Sequence, residues 1–195
     1  MSYPHADPDR FEQLLAHVER HLGPVTHGQG PLVDRRNRGF AVGFHRHRSI
    51  SMVSAATTGV RFQRVEAVLP VECVVSALSE QEDEAAYLVH VGAARVIENG
   101  RGYEYGQGYL NAEPLIPGTG IEFLLAWTHL ATGPEFDVFH DEYGDPALRF
   151  VTFVPATRAE YEQVWAQRGP DALFRLWETR GTNLFDLYRP CAVTA

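Results

Sequence analysis

The sequence predicts an α+β (or α/β sandwich) fold, with a mixed, largely antiparallel central sheet and helices packed on it. Three observations lead there. Helical and strand-like segments are interleaved along the 195 residues, and several successive strands join with no helix between them, which disfavours an all-parallel sheet. The run over residues 148–154 is apolar on both faces, which suits a strand covered on both sides. The length fits one domain, assigned to residues 1–195, and a chain of this size buries roughly 70% of its unfolded surface without a metal or disulfide staple.

The elements follow in order. Asp7 can cap a helix over residues 8–22, with Pro8 at its first position and Phe11, Leu14, Leu15, Val18 and Leu22 on one apolar face. Gly23-Pro24 stops it, and a polar loop rich in Gly and Arg runs through Arg38. Residues 40–45 and 49–56 read as strands, with Ile50 and Met52 on one face of the second, and Thr57-Thr58-Gly59 as a turn or bulge. Val65, Ala67, Leu69, Val71 and Cys73 alternate with polar residues, the period of a half-buried strand. Pro70 breaks that strand or places it at an edge. A helix over residues 82–98 has acids in its first turn and Asn99-Gly100 as its stop. A Gly/Tyr loop over residues 102–108 leads to Tyr109 and Leu110. Residues 114–120 form a rigid turn ahead of an apolar strand over residues 121–127. The strand over residues 148–154 ends at Pro155. Thr157 and Glu160 then form a capping box, and two aromatic helices follow, separated by Gly169-Pro170.

Composition narrows the function classes. The net charge is −8 and every strong cation is an arginine, which disfavours nucleic acid and anionic membrane as direct partners and permits a basic protein partner. No apolar run approaches the ~20 residues of a bilayer span. The N-terminal residues lack a basic-then-apolar leader, so the cytoplasm is the expected location. Cys73 and Cys191 are far apart; a disulfide between them stays open, though a reducing compartment is the default.

Three motifs stand in a fixed order. Thr57-Thr58-Gly59-Val60 precedes Arg64-Val65-Glu66. Pro114-Leu115-Ile116-Pro117-Gly118-Thr119-Gly120 precedes the apolar strand. Phe150-Val151-Thr152-Phe153-Val154-Pro155 leads into the capping box and then Gly169-Pro170-Asp171-Ala172-Leu173-Phe174-Arg175-Leu176. In this order they resemble the suppressor-of-fused family, in the form of a bacterial single-domain member, over about residues 40–190, with Thr58, Gly59, Glu66, Pro117, Gly118 and Pro155 as the structural motif. The resemblance implies a non-catalytic protein-binding module. Animal members sequester a transcription factor of Hedgehog signalling. Stand-alone bacterial members are associated with immunity to toxins exchanged between competing cells, which implies neutralisation of a toxin by occlusion.

The residues themselves offer no catalytic motif. His17 and His21 are spaced i, i+4, but His17-Val18-Glu19-Arg20-His21 is not a metalloprotease motif. The glycines of residues 100–106 follow a helix and lack the Gly-Lys-Ser/Thr of a phosphate loop. No catalytic residue, cofactor or metal is assigned. The candidate partner surface is Glu135, Phe136, Asp137, Phe139, Asp141, Glu142, Tyr143 and Asp145, where acids can steer a basic partner and aromatics supply contact area. The bland alternative is that Phe136, Val138 and Phe139 pack on the core. Two other functions remain in play: a small hydrolase or metal-dependent enzyme using His45, His47, His129 or His140, and a housekeeping partner-binding protein unrelated to toxins.

Overall fold

The computed structural model describes residues 8–31 and 39–194. The expected Asp7 cap lies outside these residues. One sheet organises the chain. Its strands are β1 (Val25–Gln29), β2 (Ala41–Arg46), β3 (Met52–Thr58), β4 (Val71–Leu78), β5 (Gly108–Leu110), β6 (Ile121–Trp127), β7 (Val138–His140) and β8 (Pro146–Thr157). They run in the order β1-β2-β3-β4-β8-β6-β5, with β7 also paired to β8. Every pairing is antiparallel except β4 with β8. The mixed, largely antiparallel sheet expected from sequence is therefore present.

Helices cover both faces. α2 (Glu82–Asn99) packs on one, against Phe44, Val53, Val75, Leu124, Val151 and Phe153. The opposite face is shared. α1 (Leu14–Leu22) covers Val74, Phe136, Leu148 and Phe150. α5 (Pro170–Arg180) puts Leu173 and Trp177 on Phe123, Leu125 and Val154. Alternation along β8 produces this division: Val151 and Phe153 point to α2, whereas Phe150, Val154 and Ala156 point away from it. Gly92 of α2 sits against Phe153, where a Cβ would overlap the ring, so glycine lets the helix approach the sheet this closely.

Several elements differ from expectation. The first helix divides into a 3-10 turn, Pro8–Phe11, and α1, and Leu15 points to solvent at 57% exposure. β1 replaces part of the expected polar loop. Its residues are all exposed, so it has no hydrophobic pattern of its own and is held by β2. Residues 49–51 turn before β3, leaving Ile50 exposed, while Thr57 and Thr58 belong to the strand. The alternation over residues 65–73 is not one strand. Val65 and Ala67 pack beside α2 as irregular chain, and β4 begins after Pro70 as a central strand.

Pro155 does not end β8, which continues to Thr157. Pro155 is in register with Leu124, and its carbonyl faces away from β6, where it accepts from Arg189 at 3.2 Å. Its missing N–H therefore falls on the side that needs no ladder bond. The capping box is present: Glu160 N–H donates to Thr157 Oγ1 and Thr157 N–H donates to Glu160 Oε2. It starts a rod made of α3 (Arg158–Glu160), a π segment (Tyr161–Trp165) and α4 (Ala166–Arg168). The two cysteines are free thiols, Cys73 deep in the sheet and Cys191 accepting a bond from Thr157 Oγ1. No helix among the described residues is long and apolar enough to cross a membrane.

Two buried carboxylates fix the frame. Glu160 accepts from both Arg189 nitrogens, at 2.7 and 2.8 Å, and from Ala192 N–H at 2.9 Å. Glu72 accepts from Thr57 Oγ1, from the N–H groups of Gly59, Val60 and Arg61, and from the Arg61 guanidinium. Gly59 holds φ +121, and a Cβ there would lie 2.7 Å from the Gly39 carbonyl oxygen, so the turn requires glycine.

Arg189→Ala strands Glu160 as an unpaired buried charge and should lower unfolding free energy by about 3–5 kcal/mol. The double variant Glu160→Gln/Arg189→Met keeps a capping-box acceptor and removes both charges, and should recover much of the loss. Urea denaturation midpoints of the three proteins check this.

Candidate protein-binding surface

The excursion between β6 and β8 carries most of the residues predicted to contact a partner. It is built from the inside outward. Phe136 and Phe139 are buried against α1 and Phe150, with Phe136 stacked on Phe150 at 4.7 Å. Asp137 is buried too, and its Oδ1 accepts from His129 N–H at 2.9 Å. These three residues anchor the excursion instead of facing a partner, and the expected surface contracts accordingly. Only Phe139 of the three lies on β7, whose pattern puts it inward; Phe136 and Asp137 belong to the turn that precedes the strand.

What remains outside is the tip joining β7 to β8. Tyr143 is 82% exposed and is flanked by exposed Glu142 and Asp145. The tip is stiffened from below. Asp141 Oδ1 accepts from Tyr143 N–H at 3.1 Å and Asp145 N–H at 3.0 Å, and Oδ2 accepts from Arg10 Nε at 2.9 Å. Backbone bonds from Asp141 N–H to Asp145 O and from Gly144 N–H to Asp141 O close the turn, with Gly144 at φ +82. Burial opposes the Asp141 charge, but the Asp145 and Tyr143 N–H groups and the Arg10 guanidinium hold its carboxyl below the usual range. Asp141 is therefore a brace, whereas Glu142, Tyr143 and Asp145 form the presented surface, with exposed Glu135 at the base of the excursion.

Beneath the excursion, two of the singled-out histidines meet. His47 Nε2 contacts Ser54 Oγ at 3.0 Å, Ser54 Oγ contacts Ser76 Oγ at 2.6 Å, and Ser76 Oγ contacts His129 Nε2 at 2.8 Å. The polarity of this chain is fixed at one end. Ala131 N–H donates to His129 Nδ1 at 3.3 Å, so the ring proton lies on Nε2 and donates to Ser76. The serines then pass donors along to His47 Nε2. A catalytic Ser-His-Asp set needs the reverse, with Nδ1–H facing the carboxylate and Nε2 accepting from serine. Asp137 instead bonds the His129 main chain. The adjoining cavity, about 10 Å³ between Ser76, His129 and Thr152, is at the lower limit for one water and has no room for a substrate. Burial, then neighbouring histidines, pushes His129 down to about 3 and His47 down to about 4. His45 is separate, with its Nδ1 bonded to Gly23 O at 3.0 Å, and His140 is exposed on β7. Among the described residues, no three His, Cys, Asp or Glu side chains come together to hold a metal ion.

The remaining sequence-motif residues lie away from the tip. Thr58 Oγ1 accepts from Arg61 at 3.0 Å. The Glu66 backbone is stapled to the chain after α2, through Gly100 O and Gly102 N–H, while its side chain is exposed. Pro117-Gly118 turns the chain after the buried pair Leu115 and Ile116.

These features define a three-layer α/β/α module whose β6–β8 excursion presents a braced acidic-aromatic tip. The family model described as "Suppressor of fused protein (SUFU)" matches residues 41–190, and the chain belongs to this family. In fold it is similar to a suppressor-of-fused homologue from Neisseria gonorrhoeae, with a TM-score of 0.66 at 14% identity, covering 95% of this chain and 98% of that one. No functionally curated protein matches the sequence significantly.

Asp137 gives a pH prediction. Burial is the main cause that raises it from 3.8 to about 6, against the opposing His129 N–H bond. The fold thus favours the protonated acid. That contribution is full below the unfolded value and is lost as pH rises through about 6. Asp137→Asn keeps an Oδ1 acceptor without charge. It should raise Tm by about 2–4 °C at pH 7.5, corresponding to ~1 kcal/mol, and leave it unchanged near pH 4. Thermal unfolding at the two pH values checks this.

Proposed function

We propose that the chain is a non-catalytic protein-binding member of the suppressor-of-fused family, acting in the cytoplasm as an immunity protein that neutralises a bacterial toxin by occlusion. The observation that carries the reading is the tip Glu142-Tyr143-Asp145. A large aromatic side chain at 82% exposure, on a turn already ordered by Asp141, loses little conformational entropy on binding. The acids beside it, within a chain of net charge −8, favour a basic protein surface. The reversed polarity of the Ser76–His129 pair and its small cavity give the hydrolase alternative no support.

The test takes as partner a toxin domain found in the neighbourhood of this gene. Wild-type protein should bind it and protect cells that express it. Tyr143→Ala should weaken binding by roughly 30-fold or more, the size of a hot-spot loss of ≥ 2 kcal/mol. Glu142→Arg/Asp145→Arg should lower the association rate and reduce its salt dependence. Asp141 is unsuited to charge reversal because it holds the turn. Calorimetry and stopped-flow association at two salt concentrations read these effects. Absence of both binding and protection rejects the immunity role. Binding that none of the variants changes rejects the tip as its surface.

A further inference from the structure

A second feature lies on the other side of the excursion. α1 and β7 enclose an open cleft of about 240 Å³ lined by Gln13, His17, Arg20, His21, Glu135 and His140, among others. Three imidazoles and one guanidinium converge there against a single carboxylate, in a chain whose net charge is −8. Among the described residues, Arg20 has no ion-pair or hydrogen-bond partner. Seven other arginines are committed to carboxylates: Arg10, Arg46, Arg61, Arg95, Arg149, Arg158 and Arg189.

The imidazoles are held in place by the core. His17 Nε2 lies 3.0 Å from the Phe136 carbonyl, and its ring stacks on Phe136 and Phe150. Nε2–H therefore donates to that carbonyl, leaving Nδ1 without a protein partner. His21 sits one turn on, its ring 4.9 Å from that of His17 and 5.8 Å from Phe136. His140 enters from β7 across the cleft.

We infer that this cleft is a binding site for a phosphate-type oxyanion, gripped by Arg20, His21 and His140, with His17 Nδ1 taking up a proton as the anion enters. A divalent metal fits less well. Among the described residues no three His, Cys, Asp or Glu side chains are placed to hold one, and the unpaired Arg20 charge opposes a cation at the same place. An oxyanion meets the opposite field, and donors from two walls match its several oxygens. Electrostatics agree with this geometry. Burial lowers His17, the Phe136 bond opposes that, and then His21, Arg20 and His140 lower it further; burial and then Arg20 lower His21, which Glu135 partly restores. Burial is the larger cause for both rings, and an anion offsets the added repulsion from Arg20 and the neighbouring imidazoles at His17 and from Arg20 at His21. Binding must then strengthen as pH falls from 7.5 to 5.5, because the protonated rings favour the anion. The site is distinct from the Glu142-Tyr143-Asp145 tip and stands or fails without it.

The experiment follows the histidine ring resonances of the full-length protein by NMR while sodium sulfate, which stays a dianion over this range, is added at constant ionic strength against sodium chloride. The expected result is saturable shifts of His17, His21 and His140, with a Kd that tightens at least tenfold from pH 7.5 to 5.5. Arg20→Gln, at an exposed position where loss of the fold is not expected, should weaken binding at least tenfold with an unchanged Tm. Inorganic phosphate and glycerol 3-phosphate titrated side by side identify the source: tighter binding of the ester names a phosphomonoester, and tighter binding of the free ion names phosphate. Shifts equal to those in chloride, or binding untouched by Arg20→Gln, overturn the proposal. So does a stoichiometric zinc complex on the same three rings at micromolar metal, which would make the cleft a metal site.

Discussion

The Glu160–Arg189 pair is the constraint on which the second half of the structure depends. Both side chains are excluded from water, at 0% and 3% exposure. A lone charge in such a place costs several kcal/mol, so each group forces the other into position. Through this pair the end of β8, the first turn of α3 and the C-terminal tail become one unit. Arg189 also lies over the Trp177 ring of α5, 5.6 Å from its centroid, and takes the Pro155 carbonyl. A proline can stand inside the longest strand because its missing N–H falls on the side away from β6, and on that side Arg189 satisfies its carbonyl. A buried ion pair adds little net stability over a well-packed apolar substitute. What it supplies is register: no shifted docking of the tail would satisfy Glu160.

Glu72 performs the corresponding task on the other half of the sheet. Its carboxylate gathers three successive N–H groups of the 3-10 turn Val60–Phe62 and the preceding Gly59, together with Thr57 and Arg61. The two carboxylates belong to β4 and to the turn after β8, the neighbours joined by the sheet's parallel pairing. With that centre pinned, the β6–β8 excursion is attached to a rigid base through Asp137, His129 and Phe136. Its tip can be both exposed and ordered, the combination that makes an effective contact surface.

What was legible in the sequence follows from how locally each feature is determined. The capping box needs only Thr157 and Glu160, three residues apart, and was readable. The same Glu160 also pairs with Arg189, 29 residues on, and nothing local reports that. α2 was readable because an acidic first turn, an apolar stripe and Asn99-Gly100 agree. β1 was not, since its exposed polar residues are ordered by pairing with β2 and not by their own pattern. The alternation over residues 65–73 misled because an irregular segment packed at the margin of the core also half-buries every second side chain. In the acidic-aromatic run the sequence left two directions open for the aromatics, and the structure takes the inward one: Phe136 and Phe139 pack on the core, and Asp137 turns inward with them. The α1–β7 cleft escaped because it is assembled from two segments more than a hundred residues apart, and the i, i+4 pair of His17 and His21 was its one local sign.

Those two surfaces share a support, which bears on the kind of partner each can meet. Arg10, just before α1, bonds Asp141 at the base of the tip and the Pro146 carbonyl, so the α1 segment braces the tip. α1 also forms one wall of the cleft. A strongly acidic chain is ordinarily assigned a uniformly basic partner. Here the net charge conceals a bipolar arrangement, with acids and a tyrosine at the tip and unpaired cationic or protonatable groups around Arg20 on the other side of β7. The field at close range is set by these groups and not by the total, because charges farther apart than a Debye length of about 8 Å are screened. A partner that engaged both surfaces would need both signs of charge at matching spacing, a stricter requirement than net charge alone and a physical basis for discrimination among basic proteins.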